Sequence, residues 1–313
     1  MLPYLNIFGI QIPMYGVCMS LAIALAIVLS CVRSRKRGQS WEDLLSIAVV
    51  AVLFGIIGSK LLYIFVTYSL KEIGEKLSSQ GVRFFLNSGV VFYGGLLGGI
   101  LGALVGARLF KKKLVCYCDA IVPTLPLAHA IGRMGCFCAG CCYGMETDSW
   151  IGMCFPHSVS GLSDSVRVIP TQLIESGANL LVFAFLIWFT RKRRKGYTSL
   201  FVYLMIYAVI RFFIEYLRGD DYRGIFGSFS TSQWISMGLF ALGVVGLILT
   251  ACYYSRRPQA IGALGAGLPA GEPVTEPLVF ADDEAEPAAE EVPEAEYEAV
   301  QEPADSPDEH GEE

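Results

Sequence analysis

Residues 191 to 219 read RKRRKGYTSLFVYLMIYAVIRFFIEYLRG, and the order of charge and apolar character in that stretch decides the fold. The run from Thr198 to Leu217 is apolar over about 20 residues, the helical length that crosses a hydrocarbon core of about 30 Å. A block of basic residues, Arg191 to Lys195, stands just before it. Along the run and just past it, Tyr207, Arg211, Glu215 and Arg218 recur at i, i+4, i+8 and i+11 and therefore share one stripe. Ionisable groups within a span cost about 3 kcal/mol or more unless paired or hydrated, so they mark functional sites by default. Arg211 and Glu215 also have the spacing of an i,i+4 ion pair that would only hold a bundle together.

Six further apolar runs of comparable length lie outward from this one: Met14 to Val32, Leu44 to Tyr68, Val90 to Ala107, Leu114 to Gly132, Thr171 to Thr190 and Thr231 to Tyr254. The expected fold is all-α, a polytopic membrane protein of about seven transmembrane helices. The fourth run is interrupted by Asp119, Pro123, Pro126 and His129, breaks that buried polar partners can satisfy. Basic clusters follow the first, third, fifth and seventh runs: Arg33 to Arg37, Arg108 with Lys111 to Lys113, Arg191 to Lys195, and Arg256 with Arg257. All four then fall on one side of the bilayer. Such clusters stay cytoplasmic, which puts the N-terminus outside and the C-terminus in the cytoplasm. The first run has its charges after it, the reverse of a cleavable signal, and is expected to remain in the mature protein.

The net charge of −5 hides two halves. Residues 1 to 271 hold all 24 Lys and Arg and 12 of the 29 acids, whereas residues 272 to 313 hold the other 17 acids and no base. This division separates a membrane domain, residues 1–257, from an acidic tail rich in Pro, Ala and Glu, residues 258–313. The tail has too little apolar surface to offset the entropy of ordering and is expected to be disordered.

With this orientation the polar residues collect at the outer ends of the helices. Tyr15 opens the first and Tyr93 stands near the end of the third, while His129 and Arg133 close the fourth. Gln172, Glu175 and Asn179 begin the fifth at i, i+3 and i+7, on one face. A cavity of arginines, tyrosines and carboxylates at outer-leaflet depth suits an anionic lipid head, because a guanidinium fork binds phosphate oxygens in pairs and keeps its charge. Arg133 and Arg218 could instead snorkel to the interface. On the third helix Gly94, Gly98, Gly102 and Gly106 recur every four residues, a spacing that admits a neighbouring backbone. Gly94 and Gly95, beside Tyr93, are also candidates to open backbone to a ligand.

These residues carry a resemblance to the prolipoprotein diacylglyceryl transferase family. It rests on Ile12-Pro13-Met14-Tyr15-Gly16, Val91-Phe92-Tyr93-Gly94-Gly95-Leu96-Leu97-Gly98, Gly132-Arg133-Met134-Gly135-Cys136-Phe137 through Gly140, Pro170-Thr171-Gln172-Leu173 with Glu175, Arg211 through Gly219, and Phe229 through Trp234. The resemblance spans residues 1 to about 257. It implies transfer of the diacylglyceryl group of phosphatidylglycerol to the lipobox cysteine of preprolipoproteins, forming a thioether and releasing glycerol phosphate. It further implies that Arg133 binds phosphate and that Tyr207, Arg211 and Glu215 serve the leaving-group side; Tyr93, at the position of a family histidine, and His129, one turn before Arg133, are added to the candidate catalytic set from their own placement. Tyr15, Gly94, Gly95, Gly135, Gln172, Glu175 and Arg218 would contact substrate. No metal or organic cofactor is expected, and no nucleic-acid partner.

The chain departs from the family pattern at three positions. Tyr93 replaces a histidine found in many members, Cys136 stands where the family has Arg-x-Gly-Asn, and Cys141 follows the signature glycine. The histidine is a proposed base, and a phenol with an unperturbed pKa of about 10 is a poor one near neutrality. Tyr93 is therefore read as positioning substrate, with His129 the candidate base. The segment Cys136-x-Cys138-x-x-Cys141-Cys142, with Cys154 and His157 beyond it, offers three readings: small residues in a tight loop, a structural disulfide, or a zinc or redox site. Cys18, Cys31, Cys116, Cys118 and Cys252 are read as packing residues. A transporter path through Arg211 and Glu215, a thiol oxidoreductase on Cys138 and Cys141, and a paralogue with another acceptor are the rival functions.

Overall fold

The computed structural model describes residues 3–7, 9–218, 225–226 and 229–256. The acidic tail, Gly219 and Arg257 lie outside the described residues. A hairpin of β1 (Tyr4–Ile7) and β2 (Ile10–Pro13) leads directly into α1 (Met14–Lys36). Then follow α2 (Trp41–Thr67), α3 (Leu70–Gln80), α4 (Val82–Asn87), α5 (Phe92–Leu109), α6 (Leu114–Ile121) and α7 (Thr124–Ala139). The two-residue strands β3 (Met153–Cys154) and β4 (Arg167–Val168) pair within the long segment that precedes α8 (Thr171–Phe189). Next come α9 (Thr198–Ile214), a 3-10 turn at Glu215–Leu217, the short hairpin of β5 (Ile225–Phe226) and β6 (Phe229–Ser230), and α10 (Thr231–Arg256).

Six helices are long and apolar enough to cross a membrane, and the seventh candidate is the pair α6 and α7, bent by 51°. The chain is a multi-pass membrane protein, as its seven runs predict, and the weakest run is the broken one. Pro123 supplies no N–H at the bend, and Pro126 lies in the first turn of α7, where N–H groups lack helical partners anyway. Asp119 lies in the last turn of α6 and ties it to the residues just after α1 and α8. Its carboxylate accepts from the Arg194 backbone N–H at 2.8 Å and pairs with Arg37 at 3.4 Å. Arg33 donates to the Asp119 carbonyl and to Thr190, and Lys112 pairs with Asp43 at 2.8 Å. Arg256 and Gly196 line one recess of about 730 Å³ between α9 and α10. All four basic clusters thus gather at the same end of the bundle.

The most extensive helix contacts run α5 to α2, α1 to α7, α7 to α8, and α9 to α10, with α8 also packed on α9. Glycine makes the first of these possible. A methyl group on Gly94 would lie 2.3 Å from the Gly58 carbonyl oxygen, and one on Gly98 2.3 Å from that of Phe54. Gly94 faces α2, so the expectation that it opens backbone to a ligand is corrected: it lets two helices meet, whereas Gly95 lies at an ordinary contact distance from Ser59. Gly135, expected to contact substrate, similarly turns toward Cys18 and Tyr15 of α1.

Two helices that no long apolar run announces, α3 and α4, connect α2 to α5. Ser69 and Glu72 form a reciprocal capping box at the start of α3, which buries none of its residues. Lys60 of α2 reaches the carbonyls of Phe85, Leu86 and Ser88, satisfying the open end of α4 and explaining a lysine within a span.

Candidate active site

The first turns of α8 build the site because their face changes character along the helix. Thr171, Gln172, Glu175, Ser176 and Asn179 are buried at its start, and Val182 and Leu186 continue the same face toward the basic end. The apolar half packs with Cys118 and Val122. The polar half is held by side-chain bonds: Ser176 donates to the Ala130 carbonyl at 3.0 Å, Thr171 to that of Cys142 at 2.9 Å, and Gln172 to that of Cys141 at 2.8 Å. These fix α8 against α7 and the loop after it.

Glu175, 1% exposed, receives two side chains from α7. Arg133 Nη2 lies 2.9 Å and His129 Nε2 3.2 Å from the same oxygen, Oε1. The i,i+4 spacing of His129 and Arg133 puts both on the face of α7 that meets α8. The His129 ring packs at 5.6 Å from that of Tyr207, which brings in α9.

A second charged group stands beside the first, where α9 tightens into its 3-10 turn. Arg211 Nη1 pairs with Glu215 Oε2 at 2.7 Å, and Arg211 Nη2 donates to Ser232 at 3.0 Å. Ser230 donates to Glu215 Oε1 at 2.8 Å and accepts from the Gln233 N–H, while Gln233 Oε1 accepts from the Ser230 N–H. This reciprocal cap starts α10 and holds the carboxylate in one operation. Ser230, Ser232 and Gln233 were not among the expected site residues, and their S-x-x-Q spacing is the sequence signal that could have found them. Glu175 and Arg211 are near enough to interact through charge, as are Tyr207 and Tyr93.

Beside Arg133 the last turn of α7 folds back on itself. Gly140 adopts φ 66°, its N–H bonds to the Phe137 carbonyl, and the Cys141 N–H bonds to that of Cys136 at 3.1 Å. This is the Schellman arrangement, which lays the residue after the glycine over the one five positions earlier. Cys142 follows with φ 64°. The sulfurs of Cys136, Cys141 and Cys142 consequently lie within 4.8 Å of one another. Hydrogen bonds from Cys136 and Cys141, together with the charges of Arg218 and Arg133, hold the Cys142 thiol well below its usual range. All ten cysteines are free thiols, which corrects the disulfide reading. Cys138 faces Cys18 of α1, so Cys138 and Cys141 do not act as a C-x-x-C pair.

Of the expected residues, the structure brings together His129, Arg133, Glu175, Tyr207, Arg211 and Glu215. Gln172 ties the loop to α8, and Arg218 is buried near Cys142. Tyr15 lies against Gly135 and near the thiols. Tyr93 is 57% exposed on α5, at the rim. Among the described residues, Glu175 Oε2 and Gln172 Oε1 are buried with no hydrogen-bond donor. Two guanidinium groups beside unfilled acceptors can hold an anion that also carries hydroxyl groups. The recess at the basic end shares none of these residues.

Residues 3–249 match the family model described as prolipoprotein diacylglyceryl transferase. The phosphatidylglycerol–prolipoprotein diacylglyceryl transferase of Clostridium tetani is 36% identical over 239 residues, covering 76% of this chain and 93% of its own. An enzyme of the same name, numbered 2, from Clostridium perfringens is 36% identical over 240 residues, or 77% of this chain and 91% of its own. A Bordetella avium relative of that name is 33% identical over 261 residues, 81% of this chain and 96% of its own.

Proposed function

Because the chain belongs to the prolipoprotein diacylglyceryl transferase family, we infer that it transfers the diacylglyceryl group of phosphatidylglycerol to a cysteine thiol of a prolipoprotein. This is the first step of bacterial lipoprotein maturation. The observation that carries the reading at the level of residues is the pair of adjacent arginine–carboxylate groups, Arg133 with Glu175 and Arg211 with Glu215. An acceptor thiolate displaces a phosphate ester at an sp³ carbon. The new S–C bond forms as the C–O bond breaks, and negative charge grows on the departing phosphate.

Arg133 and Arg211 hold that phosphate and stabilise the developing charge, while Glu175 and Glu215 fix their orientation. Phosphatidylglycerol ends in a glycerol with two free hydroxyls, which suit the two unfilled acceptors Glu175 Oε2 and Gln172 Oε1. Tyr207 and His129 wall the site, Arg218 adds positive potential, and Tyr15 and Tyr93 stand at its approaches. The acceptor is the lipobox cysteine. The site opens to the outer leaflet of the cytoplasmic membrane, with the N-terminus outside and the C-terminus in the cytoplasm. Gathering of the basic clusters at the opposite end supports that orientation.

Complementation of a strain depleted of its own diacylglyceryl transferase tests the reading. Growth is expected to return, and mass spectrometry is expected to find thioether-linked diacylglycerol on a reporter lipoprotein. Full expression and insertion with an unmodified reporter would refute it.

A further inference from the structure

Diacylglyceryl transfer as read above leaves Cys136, Cys141 and Cys142 without a role, yet their arrangement is that of a ligand set. Their sulfurs lie within 4.8 Å of one another. A tetrahedral zinc ion with Zn–S bonds of about 2.3 Å separates its sulfurs by about 3.8 Å, so closing the set takes movement of about 1 Å or less. The backbone that carries them is already held. The Schellman bonds fix Cys141 over Cys136, and Thr171 and Gln172 of α8 grip the carbonyls of Cys142 and Cys141. Among the described residues no fourth cysteine, histidine or carboxylate joins the group. Three protein ligands with one open position distinguish a catalytic zinc from a structural one, and soft thiolates select zinc over harder cations.

The chain also lacks the family's histidine at position 93, and a phenol is a poor base near neutrality. A thiol that coordinates zinc is deprotonated by the metal itself. We propose that Cys136, Cys141 and Cys142 bind one zinc ion, and that its open position takes the acceptor cysteine and presents it as a thiolate to the lipid held by Arg133. The proposal departs from the expectation of a metal-free site. This inference rests on the diacylglyceryl transfer proposed above. The acceptor S–H gives up its proton on binding, the sulfur attacks the glyceryl carbon, the C–O bond breaks toward phosphate, and the proton is finally carried by the released glycerol phosphate. The zinc is neither oxidised nor reduced.

Cobalt(II) reports such a site through thiolate-to-metal charge-transfer absorption, whose intensity follows the number of thiolates. The full chain, purified in detergent, reduced and stripped of metal, is titrated with cobalt and then with zinc. Saturation at one equivalent and displacement by zinc are expected, with loss of the band in Cys141→Ser and Cys142→Ala and its retention in Cys18→Ser and Cys138→Ser. Variants are compared only at matched thermal stability, and two substitutions at different ligands guard against one that fails to fold. Addition of a lipobox peptide is expected to raise the band, whereas the peptide with serine for cysteine leaves it unchanged. No band at one equivalent, or a band that survives Cys141→Ser, overturns the site. A band indifferent to the peptide overturns thiol delivery. A loaded, peptide-responsive protein that transfers no lipid would count against diacylglyceryl transfer and leave the metal site standing.

Discussion

Glu175 holds Arg133 and His129 on one carboxylate oxygen in a helix face with almost no exposure. Its charge cannot be removed without leaving Arg133 buried and unpaired, a loss of about 3–5 kcal/mol for buried pairs. Glu175→Gln is therefore expected to lower the unfolding midpoint in detergent as well as transfer, and a variant of wild-type stability would show that Arg133 has another counter-ion. Arg133→Ala and Arg211→Ala are expected to reduce transfer by about 100- to 1,000-fold, the cost of one preorganised donor to developing charge. Lysine should restore little, because it cannot reproduce the fork. Rates from phosphatidylglycerol and a lipobox peptide, at equal protein level, decide this. For Tyr93, exposed at the rim, Tyr93→Phe should keep substantial activity and Tyr93→Ala less. If Tyr93→Phe were as inactive as Arg133→Ala while His129→Ala kept the wild-type pH profile, the phenol itself would take part in the chemistry.

At the scale of elements, the contact between α2 and α5 gives two neighbouring glycines opposite fates. A methyl group on Gly94 meets the Gly58 carbonyl at 2.3 Å, whereas one on Gly95 meets Ser59 Cβ at an ordinary 3.6 Å. Gly94→Ala is expected to cost about 1–3 kcal/mol through overpacking, and Gly95→Ala close to nothing. Thermal unfolding in detergent separates the two, and equal melting points would mean that the helices slide apart without penalty. The helices themselves were legible because a span is written in about 20 consecutive apolar residues. The thiol cluster was not, because it depends on a helix ending at Gly140 in the left-handed conformation. A one-dimensional spacing suggested Cys138 with Cys141. The last turn of α7 instead sends Cys138 to α1 and folds Cys141 back over Cys136.

For the whole molecule, the gathered basic clusters predict that residues 191 to 195 face the cytoplasm. Cysteine accessibility that places a probe at position 195 outside would remove the depth argument from the proposed function. Deletion after Pro258 is expected to leave transfer intact, since the removed sequence carries 17 acids and no base and has its apolar residues too scattered to form a core; a well-inserted but inactive truncation would contradict this. The sequence by itself determined the six long apolar spans, the weak and broken character of the remaining run, and the stripe that holds Arg211 and Glu215. Each of these follows from local hydropathy or from helical period. Tertiary structure alone decided that Glu175 joins His129 to Arg133, that Gly135 turns toward α1, that Ser230 and Ser232 steady the second ion pair, and that three thiols converge. The reason is physical: periodicity says which face of a helix a residue occupies, but only packing says which other face it meets.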